Sequence, residues 1–158
     1  MNARKIVSAI AISAALLVGT TGCSLNKEVD SMMVYAPSDG SQMNIGSVKL
    51  RNFIYLSNGT DGGKLIGTVV NDNAEDITVQ FEYTDFDLRT KTDPITVSAG
   101  ETLGLGSGSD TEGLGVSITG APGSNVNIWV SIDGATGEQF VVPVLDGSLE
   151  QYAPYFQN

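Results

Sequence analysis

The chain has 158 residues, of which 41% are apolar and 16% charged, with 18 acidic and 8 basic side chains. With no histidine and a single cysteine, Cys23, it cannot form His-based acid–base pairs, Cys-His nucleophiles or ordinary imidazole sites for zinc or copper. The acidic balance also disfavours nucleic acid and anionic lipid headgroups as partners.

Residues 1–22 have the organisation of a secretory signal peptide. A positively charged start at 1–5 precedes a predominantly apolar segment of 13 residues, 6–18, and a run of small residues ends at Gly22. The apolar segment is short for a membrane span. Its removal leaves 158 − 22 = 136 residues, the size of one domain, with 8 − 2 = 6 basic and 18 acidic side chains, a balance of −12.

Cys23 directly follows the small residue Gly22, which is the arrangement that bacterial lipoprotein processing recognises. We expect the Cys23 thiol to receive a diacylglycerol, which anchors the protein in membrane lipid at the extracytoplasmic face of the cell membrane. An exported protein seldom keeps an unpaired thiol, and a thioether to lipid removes that hazard. Thr20 stands where the lipoprotein pattern prefers leucine, so simple secretory cleavage after Gly22 is the alternative.

Residues 23–46 are predicted to be a lipid-anchored tether. They show no sustained period of 2 or 3.6, and they contain Pro37 and the turn pair Asp39-Gly40. Such a segment is expected to hold the folded domain near the membrane without placing it inside the bilayer.

From residue 47 the sequence alternates between apolar and polar positions, which is typical of half-buried β-strands. In the first strand Val48, Leu50, Asn52, Ile54 and Leu56 are predicted to share one face. Turn signals separate the predicted strands, which cover 47–57, 64–70, 77–84, 95–98, 102–105, 116–119, 126–132 and 140–145.

Seven to eight short strands without an amphipathic helix predict an all-β fold, an antiparallel β-sandwich over residues 47–146 with immunoglobulin-like or cupredoxin-like topology. Pro143 lacks an N–H, so the last strand is expected at an edge or with a bulge. The tail 147–158 is expected to dock as a short turn through Leu149, Tyr152, Tyr155 and Phe156.

Two acidic segments are candidate cation sites. The turn 71–76 holds Asp72, Glu75 and Asp76, but it lacks the ligand spacing and the glycine of a calcium loop, and Asn/Asp-rich turns are common for backbone reasons. In 85–93 three aspartates alternate with Arg89 and Lys91, which predicts a solvated loop whose charges neutralise one another.

No residue pattern indicates catalysis, since the serines have no histidine or Ser-x-x-Lys partner. The glycines of 104–108 are followed by no Lys-Ser/Thr pair and no helix, so they more simply permit tight turns. Met32, Met33 and Met43 are possible soft ligands for Cu(I), although a methionine usually packs against the fold. Trp129 is either a stacking platform for sugar or a large core residue of its strand.

Several segments together resemble the LpqE-type envelope lipoproteins of actinobacteria: Cys23, 35–40, 46–52, 65–71, 99–104, 121–123 and 142–144. The resemblance covers most of the mature chain and carries no catalytic residue. It implies an outward-facing envelope protein and, as a partner, the cytochrome bcc–aa3 respiratory supercomplex.

That group is also likened to the PCu(A)C-type periplasmic copper chaperones, which share a cupredoxin-like sandwich and hold Cu(I) with histidine and methionine. Met32 and Met43 have ten residues between them, as in the first half of the chaperone motif, but 65–67 occupies the place of its His-x-Met. The resemblance implies a related fold whose copper site is lost.

The sequence therefore predicts a non-enzymatic, lipid-anchored sandwich that acts as an accessory or interaction module of a membrane complex, without a cofactor or metal. Copper handling through the methionines is one alternative. A ligand-binding or adhesive sandwich that uses Trp129 is the other.

Overall fold

Strands form at seven of the eight predicted places, and the strand predicted at 116–119 lies instead at Leu114–Val116, so that it shares only Val116 with the prediction. A computed structural model of the protein describes residues 38–59, 62–106 and 112–156, which belong to a compact unit that begins at Ser38. The strands are β1 (Ser41–Ile45), β2 (Val48–Ser57), β3 (Gly63–Asn71), β4 (Ile77–Thr84), β5 (Thr90–Val97), β6 (Thr102–Leu105), β7 (Leu114–Val116), β8 (Asn125–Ile132) and β9 (Glu138–Leu145). A short 3-10 helix, Ala153–Phe156, follows. The predicted all-β class is confirmed.

The strands make two layers joined through β9. In the first layer β2 pairs with β3, and the outer edge of β3 is shared by β7 at 63–65 and β6 at 67–70. The second layer has the order β5-β4-β8-β9, with every pair antiparallel. No helix in the described part of the chain has the length and apolar character needed to cross a bilayer.

Pro143 lies where β9 passes from one layer to the other. It faces Asn125 at the end of the β8 pairing, and the next residues, Val144 and Leu145, pair in parallel with Tyr55 and Leu56 of β2. The sheet is therefore mixed at this one place. β9 lies between β8 and β2 in the sheet order, so it is not the edge strand that the sequence suggested. Over 138–143, however, its described ladder is with β8 alone, so Pro143 interrupts no second ladder.

The core fills the space between the layers, and Phe53 lies at its centre. The Phe53 ring packs against Phe81 with centroids 5.7 Å apart and meets Phe140 edge-on at 5.6 Å, a preferred aromatic geometry. Each of these rings is almost completely buried. Tyr55, also buried, places its hydroxyl 2.7 Å from the carbonyl oxygen of Ile118 and so donates a hydrogen bond from inside the core.

The predicted face of β2 is wrong beyond Arg51, because a β-bulge shifts the alternation. Asn52 has a φ of 53° and is exposed, and the register with β3 breaks between Arg51 and Ile54. Phe53 therefore points into the main core, where an unbroken strand would have placed Asn52. The Asn52 side chain is used locally: Oδ1 accepts the Gly40 N–H at 2.9 Å.

The predicted tether also extends too far, because its last residues form β1. This strand pairs with the first half of β2, opposite 48–53. The Arg51 guanidinium fixes it, donating to the Met43 carbonyl at 3.0 Å and to Asn44 Oδ1 at 2.6 Å. The proposed signal peptide, the anchor Cys23 and the remainder of the tether to residue 37 lie outside the described residues.

The C-terminal tail docks on the outer side of the first layer through Tyr152 and Tyr155, as the sequence predicted, whereas Leu149 and Phe156 stay exposed. Tyr152 is buried in a second apolar cluster with Ile54, Leu56 and Ile66. Its hydroxyl donates to Asp39 Oδ2 at 3.0 Å, and the hydroxyl of Tyr155 donates to the carbonyl of Gly106. The tail therefore covers the side chains that the bulge in β2 turns away from the main core.

Candidate functional site

The methionines and the cysteine singled out in the sequence contribute no assembled site in the described part of the chain. Met43 is half-buried in β1, opposite Leu50, and packs against the main core. Met32, Met33 and Cys23 lie outside the described residues. Among the residues that are described, no group of three or more Asp, Glu, Cys or His side chains could hold a metal ion. Copper handling through these methionines stays a prediction.

The acidic turn 71–76 is organised by an amide. Asn71 is fully buried, and its Nδ2 donates to the carbonyl oxygens of Glu75 and Val97 at 2.9 and 3.1 Å. Two carboxylates of the turn have protein partners, since Asp72 pairs with Lys49 and Asp76 accepts the Ala99 N–H at 2.9 Å. These contacts indicate that the polar side chains of the turn serve mainly to stabilise its backbone.

A cavity of about 520 Å³ opens beside this turn, between the ends of the two layers. Its lining is about half apolar, from Ile45, Ile77 and Ile132 among others, and half polar, from residues of the acidic turn. Asp133 also lines the cavity. Its carboxylate accepts the Thr78 N–H at 2.7 Å, so this side chain too is bonded to the backbone.

A buried carboxylate, Asp85, holds the hairpin between β4 and β5. The prediction of a solvated, self-neutralising loop at 85–93 is right for the exposed residues 86–92 and for Lys91, whose Nζ lies 3.8 Å from Asp85 Oδ2, but it is wrong for Asp85 itself. Asp85 is 8% exposed, and its Oδ1 accepts the N–H groups of Asp87 at 2.9 Å and Arg89 at 2.8 Å. The backbone N–H of Asp85 donates to the Arg89 carbonyl, and the N–H of Leu88 donates back to the Asp85 carbonyl. The side chain and the backbone of Asp85 therefore both hold the turn closed.

Two apolar side chains of this turn are exposed to solvent, which sequence reasoning missed. Phe86 is 44% exposed and Leu88 is 85% exposed. Leu88 has a φ of 59°, a left-handed conformation that disfavours a side chain with a Cβ. The sequence signal was present as a Phe-Asp-Leu triplet between charged residues. We call residues 85–89 the hairpin tip.

Trp129 lies on the outer surface, so the core assignment of this residue is wrong. It is 49% exposed, whereas its strand neighbours Ile128 and Val130 are completely buried. Trp129 stands directly opposite Glu82 of β4 on one side and Gln139 of β9 on the other. A ligand-binding or adhesive sandwich that uses Trp129 requires the indole to be exposed, as it is here.

A shallow cavity of about 260 Å³ adjoins the indole. Gln80 and Ser131, which are register partners, line it, and the Ser131 hydroxyl donates to Gln80 Oε1 at 3.2 Å. Gly134 and Gly137, from the β8–β9 turn, complete the wall without side chains that would fill the space. The cavity, which Glu82 also lines, therefore offers an aromatic surface beside a carboxylate and beside amide and hydroxyl groups that are already ordered.

No family model matches this chain, and no curated protein matches it either. Among solved structures, the chain is similar to the apo PCuAC domain of PmoF2, at 15% identity and a TM-score of 0.49, over 69% of this chain and 98% of that domain. The copper-bound PCuAC domain of PmoF2 gives 14% identity and a TM-score of 0.48, over 67% and 98% of the two chains. The apo PCuAC domain of PmoF1 gives 11% identity and a TM-score of 0.45, over 66% and 98%.

Proposed function

We propose that this protein is a non-enzymatic, lipid-anchored envelope protein that acts as an interaction module for a membrane protein complex. The observation that carries this proposal is the hairpin tip, where a buried aspartate orders a turn on which Leu88 is largely and Phe86 partly exposed. Cys23 supplies the anchor, and the tip supplies the contact with the partner.

The tip is difficult to explain by stability alone. Leu88 buries little apolar surface, and its left-handed backbone costs about 1–2 kcal/mol relative to a residue without this strain. A glycine would serve the turn better. A leucine in this conformation supports a role outside the fold, because strained residues cluster at ligand-contacting and functional sites.

The tip is also pre-organised for binding. Asp85 accepts two backbone N–H groups of the turn, so little conformational freedom is left to lose when a partner closes around it. Such ordering costs are a main reason why exposed loops bind weakly. The fitting partner has an apolar pocket for Leu88 with a basic surround, since the mature chain carries a side-chain balance of −12.

A membrane protein fits this partner better than lipid does. Anionic headgroups would be repelled by the acidic chain, and Asp87 lies exposed within the tip itself. An anchor at Cys23 would keep the module close to the membrane and raise its effective concentration near such a complex. The family resemblance suggests the outward face of the cytochrome bcc–aa3 supercomplex.

The test is a mild-detergent pull-down from native membranes with a C-terminally tagged protein, with co-purifying proteins identified by mass spectrometry. The wild type is compared with Phe86→Ser/Leu88→Gly and with Cys23→Ala. Leu149→Gly is the matched control, because Leu149 is 47% exposed and belongs to the tail rather than the tip.

Respiratory oxidase subunits are expected with the wild type and with Leu149→Gly, and at least about tenfold less of them with the tip variant. Cys23→Ala is expected to lose them as well, because it releases the module from the membrane. If wild-type protein comes down alone, or if the tip variant retains the same partners, the proposal fails.

A further inference from the structure

We propose that the outer face of the second layer, centred on Trp129, binds an uncharged saccharide. One sugar ring stacks on the indole, and its hydroxyls exchange hydrogen bonds with Gln80, Ser131 and Gln139. This site is separate from the hairpin tip, so the proposal does not depend on the interaction-module function.

The chemistry of the face selects the class of ligand. Its outward positions carry hydroxyls and amides with a single carboxylate, Glu82, in a chain that has 18 acidic residues. We call this surface the Trp129 face; it comprises Thr78, Gln80, Glu82, Thr84, Thr90, Thr92, Pro94, Thr96, Asn125, Asn127, Trp129, Ser131, Gln139, Val141 and Pro143.

Other ligand classes fit this face less well. A cation would require more carboxylates than Glu82 alone, and an anion would be repelled by Glu82 and by the acidic chain as a whole. An apolar protein surface also fits poorly, because Trp129 and Val141 are the large exposed apolar side chains on this face and the other outward residues are mostly polar. A neutral sugar presents apolar C–H groups on the faces of its ring and hydroxyls around its edge, which matches an indole surrounded by amides.

The geometry places the polar groups around the aromatic one. Glu82 and Gln139 lie directly across from Trp129, at the spacing of cross-strand neighbours, which is about 4.5–5.5 Å between Cβ atoms. Gln80 and Ser131 are already hydrogen-bonded to each other beside the indole. All of these residues lie on paired strands, so a ligand would not have to order a loop in order to bind.

The cavity provides space beside the indole. It has about 260 Å³, and Gly134, Ala135 and Gly137 line its end at the β8–β9 turn. A ring stacked on Trp129 can therefore extend a substituent, or the next sugar of a chain, toward this turn. The site is open on its outer side, which favours an oligosaccharide over a single enclosed sugar.

The experiment measures binding of defined oligosaccharides to the detergent-solubilised full-length protein by the fluorescence of Trp129, the one tryptophan of the chain. The neutral probes are mannohexaose, cellohexaose and arabinohexaose, and hexagalacturonate is the anionic comparison. Trp129→Ala cannot be followed by its own fluorescence, so each variant is also tested by isothermal titration calorimetry. Trp129→Tyr and Phe156→Ala complete the set, the latter because Phe156 is a 38% exposed aromatic away from the face.

At least one neutral hexamer is expected to shift the tryptophan emission. Trp129→Ala should weaken its binding at least about tenfold, which is about 1.4 kcal/mol, while Trp129→Tyr retains part and Phe156→Ala all of it. The proposal is overturned if no neutral hexamer binds, if Trp129→Ala binds as the wild type does, or if hexagalacturonate binds as tightly as the neutral chains. Circular dichroism of each variant establishes that a loss of binding is not a loss of fold.

Discussion

The hydroxyl of Tyr83 donates a hydrogen bond of 2.5 Å to Oδ2 of Asp93, across the pairing of β4 with β5. β5 is the edge strand of its layer, and Asp93 and Lys91 alternate on its inner side with the outward threonines. Inward-pointing charges protect an edge from pairing with a second chain. Tyr83 therefore provides a hydrogen-bond donor to the Asp93 carboxylate, which also disfavours pairing of β5 with another chain.

Alkaline pH should destabilise the fold through its buried tyrosines. Burial, and then the hydrogen bond to Asp93, raise the pKa of Tyr83 to about 12, and burial with Asp39 does the same for Tyr152. An unfolded tyrosine ionises at about 10. The stabilisation is thus complete below about pH 10 and is lost as the pH rises to about 12, because the unfolded chain releases these protons first.

Urea unfolding between pH 8 and pH 12 measures this effect. The slope of unfolding free energy against pH should become shallower in Tyr83→Phe and in Tyr152→Phe, and shallowest in the double variant. A double variant with the slope of the wild type would contradict the assignment to these two side chains.

Replacing Asn71 by alanine should lower the unfolding free energy by about 1–3 kcal/mol. The Asn71 amide donates to carbonyl oxygens at the end of β5, Val97 at 3.1 Å and Ser98 at 3.0 Å, and alanine would leave these groups without that donor. Asn73→Ala is the comparison, since it removes the bond that Asn73 Nδ2 donates to Asn71 Oδ1 at 3.0 Å but leaves the Asn71 donors in place, and it should cost less than half as much. Equal losses in the two variants, by urea titration, would show that the Asn71 amide is not the link between the turn and β5.

Gly67→Ala should destabilise the fold by about 1–3 kcal/mol because of Phe53. Gly67 has a φ of 156°, and a Cβ built on it would lie 2.6–2.9 Å from three atoms of the Phe53 ring. Gly115→Ala is the comparison, because nothing lies within 4 Å of its Cβ position. The cost should be smaller when Gly67→Ala is introduced into Phe53→Leu, and additive losses in this double-mutant cycle would argue against the contact.

The sequence located most of the strands, but it did not predict all of them, and it did not predict their partners. Alternation located β4 and β8 closely, since each has one buried and one exposed side. β1 was missed because its burial is only partial and its residues are mostly polar, and β5 was predicted to begin too late because its first half is charged or hydroxylated. The parallel contact of β9 with β2 depends on chain segments far apart in sequence, and no local pattern reports it.

The site was less predictable than the fold for the same physical reason. Nothing local distinguishes the buried Asp85 from the exposed Asp87, since burial is set by the elements that surround the hairpin. The bulge at Asn52 reverses which residues face the core, and one asparagine in a strand is a weak signal for it. Trp129 follows correctly from strict alternation with Ile128 and Val130, but tryptophan's usual burial argued the other way.

Leu88→Gly should be at least as stable as Leu88→Ala. Both variants remove the exposed side chain, but glycine adopts a φ of 59° without strain whereas alanine does not. After the greater freedom of glycine in the unfolded chain is subtracted, the free energy of unfolding should be about 1 kcal/mol higher for Leu88→Gly. Thermal unfolding of the two variants gives this comparison directly. Alanine more stable than glycine would mean that the strain at Leu88 is absent, and with it a principal argument for the function of the tip.

Acrylamide should quench the fluorescence of Trp129 strongly in the folded protein. The indole is 49% exposed, so its quenching constant should approach that of the urea-unfolded chain. Trp129→Ala should lower the unfolding free energy by about 1 kcal/mol or less, the scale of a cross-strand pair, whereas Phe81→Ala should cost about 3–5 kcal/mol because Phe81 is fully buried. Weak quenching, or a loss for Trp129→Ala as large as that for Phe81→Ala, would place the indole in the core and remove the saccharide site with it.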